Sequence, residues 1–395
     1  MHDPADFIPF HRPTIGPEEI DAVRKVLESE WLTTGPATLA FERSFAEYVD
    51  AKHAIAVNSG TAALQLAVRL LGLQPGDEVL VPTYTFTATA EVLTYFGAKP
   101  VLCDSVAGGF NVDAEDARAR VTQRTKAIIP VHIAGEPCDL DGIQEVANTN
   151  GLHVIEDAAH ALPSKYRGKR IGSYSTLTAF SFYATKNITT GEGGMLVTGN
   201  DEFAERVRCL RLHGISSAAW KRYSREGSWF YEVLEAGYKC NLPDILSAIG
   251  SAQLAKSDQF YRRRRDIALQ YRERFSQIDA LELPPETERD TEHSWHLFLL
   301  RLRPSMLDIA RGQFIEELKK LGIGSAVHFI PLHLHPYYQH AFGYKKGDFP
   351  HAENAFSRCI SLPLYPSLND GEVARIIRAV EQIVISCGRP MISVA

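Results

Sequence analysis

Short apolar runs rich in Val and Ile recur through the first half of the chain: His53 to Val57, Glu78 to Val81, Pro100 to Cys103, Ala127 to Val131, His153 to Ile155, Thr178 to Phe182 and Met195 to Thr198. Helical patterns such as Thr61 to Leu71 and Thr87 to Phe96 fall between them, the first opening directly after Asn58-Ser59-Gly60. Strands that are apolar throughout, without polar alternation, are those a sheet buries on both faces. Intervening helices then act as crossovers, so the pattern predicts an α/β fold with a mainly parallel seven-stranded sheet flanked by helices.

The pattern fails from Gly214 to Glu235, leaving a loop in which Trp220, Tyr223, Trp229, Phe230 and Tyr231 mix with Lys221, Arg222 and Arg225. Long loops inside compact domains are often functional. Gln259 to Phe275 reads as a helix, and its run Arg262-Arg263-Arg264-Arg265 reads as a solvated or subunit-facing surface rather than a nucleic-acid site. A smaller α+β region follows, with His296 to Leu302 and Gly324 to Phe329 as strands and Gln313 to Leu321 as the helix between them. At 395 residues the chain exceeds the size at which single cores stop growing. Two domains are expected: residues 1–250, a large cofactor-binding domain with the N-terminal segment, and residues 251–395, a small C-terminal α+β domain.

A net charge of -6 supplies no general field for nucleic acid or an anionic membrane, so any anion site must be local and the expected partner is a small molecule. Six cysteines are scattered without a C-x-x-C pair, which argues against a zinc site or a disulfide framework and for the reduced cytoplasm. Met1 to Asp6 lacks a basic stretch followed by an apolar run, and no segment approaches the length needed to span a bilayer. Asn187-Ile188-Thr189 fits a glycosylation sequon, which without an export signal carries no meaning.

Candidate chemistry gathers at three strand ends. In a parallel sheet the carboxyl ends of the strands line the ligand crevice, so Ser59-Gly60-Thr61, Glu156-Asp157 and Ser181 to Lys186 should converge. Lys186 stands between an apolar strand and the turn Thr189-Thr190-Gly191-Glu192-Gly193-Gly194. A lysine held in a partly desolvated pocket becomes a nucleophilic amine able to form an imine with an aldehyde; a random lysine is more often a solvated surface group. Ser59-Gly60-Thr61 at a helix start fits a phosphate site and an ordinary helix cap equally well. Asp157 can keep a pyridine nitrogen protonated, or serve as a buried acid paired with backbone amides. His160 suits a structural role more often than a catalytic one, and is also within reach of a ring's phenolic oxygen.

Phosphate cup, carboxylate and lysine together are the parts that hold pyridoxal 5'-phosphate (PLP). No G-x-G-x-x-G and no G-x-x-x-x-G-K-[ST] is present, which removes the usual grounds for a dinucleotide or nucleoside-triphosphate enzyme. The histidines of His328 to His335 lack carboxylates or cysteines at ligand spacing, so no metal is expected.

At Trp31 to Pro36, Asn58 to Leu64, Thr125 to His132, Glu156 to His160, the Lys186 segment, Gly237 to Asp244, His293 to His296 and Val327 to Phe329, the chain resembles the DegT/DnrJ/EryC1/StrS family of sugar aminotransferases. The resemblance is nearly full length and implies the fold-type-I aspartate-aminotransferase architecture. It implies Lys186 as the Schiff-base lysine, Asp157 as the pyridinium partner, Phe86 stacking on the ring, and Gly60, Thr61 and Ser181 on the phosphate. It further implies that Asn241 reaches the cofactor phosphate of the other subunit of a homodimer, and that His328 lies near a nucleotide-sugar. The loop residues Arg225 and Trp229 are candidates for the diphosphate and for a base or sugar face.

Within the family the chain is similar to enzymes that aminate C4 of UDP-linked 4-keto sugars, such as those making UDP-4-amino-4-deoxy-L-arabinose. Phe86 stands where those enzymes carry tryptophan, and Gly60 where they carry alanine. The expected reaction moves an amino group from L-glutamate to the keto sugar through the pyridoxamine 5'-phosphate (PMP) form. Alternatives are a C3 aminotransferase on a dTDP- or GDP-keto sugar, and a catalytically silent sensor of PLP or nucleotide-sugar, against which the intact Lys186, Asp157 and Ser181 argue. A dehydratase of this fold would carry histidine at position 186.

Overall fold

The structure is a computed structural model, and it describes residues 7–216, 230–287 and 290–389. Among the described residues twelve strands are formed: β1 His53–Val57, β2 Glu78–Pro82, β3 Lys99–Cys103, β4 Thr125–Ile128, β5 His153–Asp157, β6 Lys165–Tyr166, β7 Lys169–Arg170, β8 Leu177–Ser181, β9 Gly194–Thr198, β10 Leu281–Glu282, β11 Phe298–Leu302 and β12 Cys359–Leu362. Seven build the main sheet in the order β1-β9-β8-β5-β4-β2-β3, with β6 and β7 as a separate hairpin.

Within that sheet β3, β2, β4, β5 and β8 pair in parallel, and β9 runs antiparallel to both β8 and β1. The sheet is mainly parallel with one reversed strand, in an α/β fold. Its strands are apolar throughout because both faces are covered. Ile55, Val57, Val79, Val81 and Leu196 enter one core, while Ala54, Ala56, Leu80, Met195 and Val197 enter the other. That division follows the two-residue alternation of a strand.

Strand β11 lies between β10 and β12 in an antiparallel three-stranded sheet. Phe298, Leu300 and Leu302 enter a third core with Ile267, Tyr271 and Phe275 of the helix Ser257–Phe275, whereas Leu297 and Leu299 face the first core. The third core supports a division near residue 250, which we propose as the domain boundary. Ile8 belongs to the third core and bridges Ile323, so residues at the start of the chain pack with the later region.

Two expectations require correction. Gly324 to Phe329 forms no named strand and makes one isolated bridge, Ala326 to Ser361. Its backbone is engaged elsewhere: the Gly324 amide donates to Ile8 O at 2.8 Å, and His328 O accepts from the Tyr84 hydroxyl at 2.5 Å. The arginine run is not uniformly solvated either, because Arg264 is 1% exposed. It shares the buried helix face with Phe260, Ile267, Ala268, Tyr271 and Phe275 at helical spacing. Its Nη1 donates to the carbonyls of Leu364, Trp295 and His296, and burial lowers its pKa to about 9.

No helix among the described residues is long and apolar enough to cross a membrane. Asn187 of the sequon is buried, with its amide engaged by Leu162 O and Ser294 O.

Candidate active site

The three predicted strand ends meet in one cavity of about 500 Å³. Gly60, Thr61, Phe86, Asp157, His160, Ser181, Lys186 and His328 all line it, joined by Ser59, Thr85, Tyr183, Glu192, His296 and Phe329.

At one end β1 passes into the helix Gly60–Leu70, whose cap is Ser59: its Oγ accepts from the Ala62 amide at 3.0 Å. The first amides of a helix have no carbonyl within it, so those of Gly60 and Thr61 are available to an anion. Side chains are excluded here by close approach. A β-carbon on Gly194 would lie 2.4 Å from Ser59 O, so only glycine lets β9 run under the loop.

Asp157 ends β5 and is 5% exposed. Its Oδ2 accepts from the Thr89 hydroxyl at 2.8 Å and its Oδ1 from the Ala159 amide at 3.1 Å. The Thr89 oxygen in turn meets the Thr85 hydroxyl at 2.8 Å. Burial raises the Asp157 pKa, against which the Thr89 and Ala159 hydrogen bonds and the Lys186 charge act. Glu156, one residue earlier on the strand, points to the other face. There it meets His132 Nε2 at 2.9 Å and accepts from the Ser175 amide at 3.1 Å.

Lys186 sits in the loop closed by the Ser181–Gly194 pair of β8 and β9. Its amide donates to Tyr183 O at 2.9 Å, which curls the loop into a turn. Desolvation lowers its ammonium pKa to about 8, with the charge of Asp157 pulling the other way. Near neutrality its amine is therefore deprotonated to an extent no solvated lysine reaches.

Three imidazoles complete the wall. The rings of His160 and His296 are 4.3 Å apart, and Phe329 stacks on His160 at 5.7 Å. His328 Nδ1 meets Ser361 Oγ at 2.8 Å. Burial and then Lys186 lower the His328 pKa to about 4, and the same two causes push His160 well below its ordinary range. All three are uncharged at neutral pH, since His296 is likewise pushed well down by burial. Phe86 is 59% exposed with its ring 6.0 Å from that of Phe329, an open aromatic face at the cavity.

Asn241 does not line this chain's own cavity. Its Nδ2 donates to Thr34 Oγ1 and its Oδ1 accepts from Lys239 Nζ, both at 2.6 Å. Arg225 and Trp229 lie outside the described residues. Among the described residues no group of three or more His, Cys, Asp or Glu side chains is placed to hold a metal ion.

The DegT/DnrJ/EryC1/StrS aminotransferase family is matched over residues 13–381. The chain belongs to this family. It is similar to the spore coat polysaccharide biosynthesis protein SpsC of Bacillus subtilis (strain 168), 49% identical over 379 residues, which cover 96% of this chain and 97% of SpsC. Among solved structures it resembles Spr1654 of Streptococcus pneumoniae in its PLP form, at 35% identity and a TM-score of 0.90, covering 96% of this chain and 99% of that one. It also resembles PseC of Helicobacter pylori, an aminotransferase involved in the biosynthesis of pseudoaminic acid, at 30% identity and a TM-score of 0.90, covering 96% and 100%. As a DegT/DnrJ/EryC1/StrS protein the chain is a PLP-dependent sugar aminotransferase, working on a sugar and an amino donor and alternating between PLP and PMP.

The residues present fit that cofactor. The cavity combines free helix-start amides, a buried and oriented carboxylate, a desolvated lysine and an open aromatic face. Among the described residues His160 Nδ1 is buried without a partner, a polar atom left for a bound group or water to satisfy. Sequence reasoning missed Thr85, Thr89 and His296. The threonines carry a signal, two hydroxyls four residues apart at the start of the apolar helix Ala88–Thr94.

Proposed function

We propose that this chain transfers an amino group from L-glutamate to C4 of a UDP-linked 4-keto sugar, in the cytoplasm, for surface polysaccharide or amino-sugar biosynthesis. The observation that carries the transamination chemistry is the convergence of Lys186, Asp157 and the Gly60–Thr61 helix start in one cavity. The resemblance to C4-aminating enzymes supports the finer assignment, as does the likeness to SpsC and PseC.

PLP, when bound, stores the electron pair left as a C–H proton departs, which is the difficult part of transamination. Lys186 would hold the cofactor through its amine and, when that amine is free, would carry the proton transfers. An amine of pKa about 8 can both take and return a proton near neutral pH. Asp157 holds the proton on the ring nitrogen, and Thr89 and the Ala159 amide keep its carboxylate oriented. The amides of Gly60 and Thr61 and the hydroxyls of Thr61 and Ser181 take the phosphate. Phe86 would cover the ring face, and His160 would meet its phenolic oxygen.

Asn241 is assigned to the phosphate of the partner subunit's cofactor in a homodimer, a reading supported by its absence from its own chain's cavity wall. His328 faces the nucleotide-sugar, with Arg225 and Trp229 as further candidates. The test is to load the protein with PMP, add UDP-, dTDP- and GDP-linked keto sugars in turn, and follow the return of the aldehyde absorption, with the aminated carbon identified by NMR. A free sugar or inosose used as well as any nucleotide-sugar would overturn the nucleotide assignment and leave the cofactor chemistry standing.

A further inference from the structure

His296 lines the same cavity as Lys186 and is 5% exposed. Its Nδ1 meets Asn187 Oδ1 at 3.1 Å. That amide is fixed from its other end, because Asn187 Nδ2 donates to Leu162 O at 2.6 Å and to Ser294 O at 3.2 Å. A flipped amide would aim its oxygen at two carbonyl oxygens, so Oδ1 must face the imidazole. A carbonyl oxygen only accepts. The His296 proton therefore sits on Nδ1, and in this neutral ring Nε2 is a bare lone pair.

Among the described residues nothing donates to that Nε2, and unlike His160 Nδ1 it is not one of the sealed polar atoms without a partner. That nitrogen therefore keeps some exposed surface, on a residue that lines the cavity. The ring packs on that of His160, and Arg264 ties down the backbone by donating to the Trp295 and His296 carbonyls at 3.3 Å.

We infer that His296 Nε2 accepts a hydrogen bond from a hydroxyl of the keto sugar, making His296 a specificity-determining residue of the sugar half-reaction, oriented by Asn187. Sugars bring hydroxyl donors, which need acceptors. The groups assigned to the phosphate present donors to it: the amides of Gly60 and Thr61 and the Ser181 hydroxyl. Amino-acid donors bring carboxylates, which a bare nitrogen lone pair repels, so His296 should matter little in the glutamate half. The inference rests on the sugar-acceptor chemistry of the family and not on the nucleotide or the carbon proposed above.

The two half-reactions of the holoenzyme can be followed separately by rapid mixing: L-glutamate with the PLP form, and with the PMP form whichever keto sugar, nucleotide-linked or free, the wild-type protein converts fastest. His296→Phe keeps a ring against His160 and removes the acceptor. The expected result is a half-saturation concentration for the sugar raised about 10- to 100-fold, with the glutamate half-reaction unchanged. Equal losses in both halves, or an unchanged sugar half, would overturn the inference. If the variant does not fold, the wild-type holoenzyme decides by itself. With ¹⁵N-labelled histidine, long-range proton–nitrogen correlation should show Nε2 of His296 unprotonated and shifted when that sugar is added to the PMP form. A proton on Nε2, or a resonance indifferent to the sugar, is the contrary outcome. Failure of every nucleotide-linked sugar alongside success of a free one would strike the nucleotide assignment alone.

Discussion

A β-carbon on Gly60 would lie 2.8 Å from the β-carbon of Ser181, so the helix start after β1 and the end of β8 are in contact across the reversed strand between them. Gly60→Ala must push those two segments apart by some tenths of an ångström, although alanine itself suits a helix better than glycine. The expected outcome is cofactor affinity lowered about tenfold, on the scale of one weakened charge-assisted hydrogen bond. Spectroscopic titration of the apoprotein with PLP measures it. Unchanged affinity would mean that the gap between these segments does not set the phosphate site.

Borohydride reduction of the holoenzyme followed by peptide mapping should place the cofactor on Lys186. Lys186→Ala should lose nearly all turnover, because among the described residues no other one lining the cavity supplies an amine. Near-native turnover in that variant, with no other lysine labelled, would remove the proposed chemistry.

The lowered Lys186 pKa also has a thermodynamic side. Its folded-state value is about 8 against an ordinary 10.5, so across that interval the unfolded chain binds the proton more readily and stability rises with pH. Below about pH 8 the native apoprotein carries the full cost of the buried ammonium. Lys186→Met should therefore stabilise the apoprotein at pH 7 by up to about 3 kcal/mol, less what is lost by leaving Asp157 without its counter-charge. The gain should shrink as the pH approaches 10.5, where the unfolded lysine is also neutral. Urea denaturation of both apoproteins across pH 7 to about 10 checks the sign. A gain that grows with pH would contradict it.

Asp157→Asn should retain some cofactor and lose most activity, since a neutral amide does not hold a ring proton as a carboxylate does. Thr89→Val removes the hydroxyl that donates to Asp157 Oδ2. It should cost about tenfold in kcat with little change in KM for the donor, the loss of one hydrogen bond to a charged group. Half-reaction rates together with the cofactor spectrum separate these effects from simple loss of PLP. If both variants react at wild-type rates, Asp157 is a structural acid.

Subunit mixing tests Asn241. A Lys186→Ala chain paired with an Asn241→Ala chain gives one site carrying both defects and one carrying neither, provided Asn241 acts across the interface. Restored activity on mixing is expected. Isolated heterodimers that remain inactive, with Asn241→Ala impaired alone, would assign Asn241 to its own chain.

Most of the main sheet was legible because strands covered on both faces write themselves as apolar runs, as in Val79-Leu80-Val81 and Ala54-Ile55-Ala56-Val57. Strand β12 was not legible. Cys359-Ile360-Ser361-Leu362 follows the helix Pro350–Arg358 without a turn residue between them, and four residues carry too little pattern. Arg264 misled for the opposite reason: four arginines in a row read as surface, yet helical spacing places position 264 among Phe260, Ile267 and Tyr271. The convergence of Lys186 and Asp157 on one cavity was legible because each stands at the carboxyl end of an apolar strand. His296 depends on an amide 109 positions away to fix its proton, a relation that no local pattern carries.

Strand β9 runs against its neighbours, and this settles how the lysine is mounted. The segment between β8 and β9 is tied at both ends by the Ser181–Gly194 rung, so Lys186 rides on a closed loop instead of a crossover that ends in a helix. Its reach into the cavity is thereby tied to the register of two strands buried in the middle of the sheet. An insertion or deletion between Phe182 and Gly193 therefore changes the length of the segment that carries the lysine while the strands hold its two ends fixed.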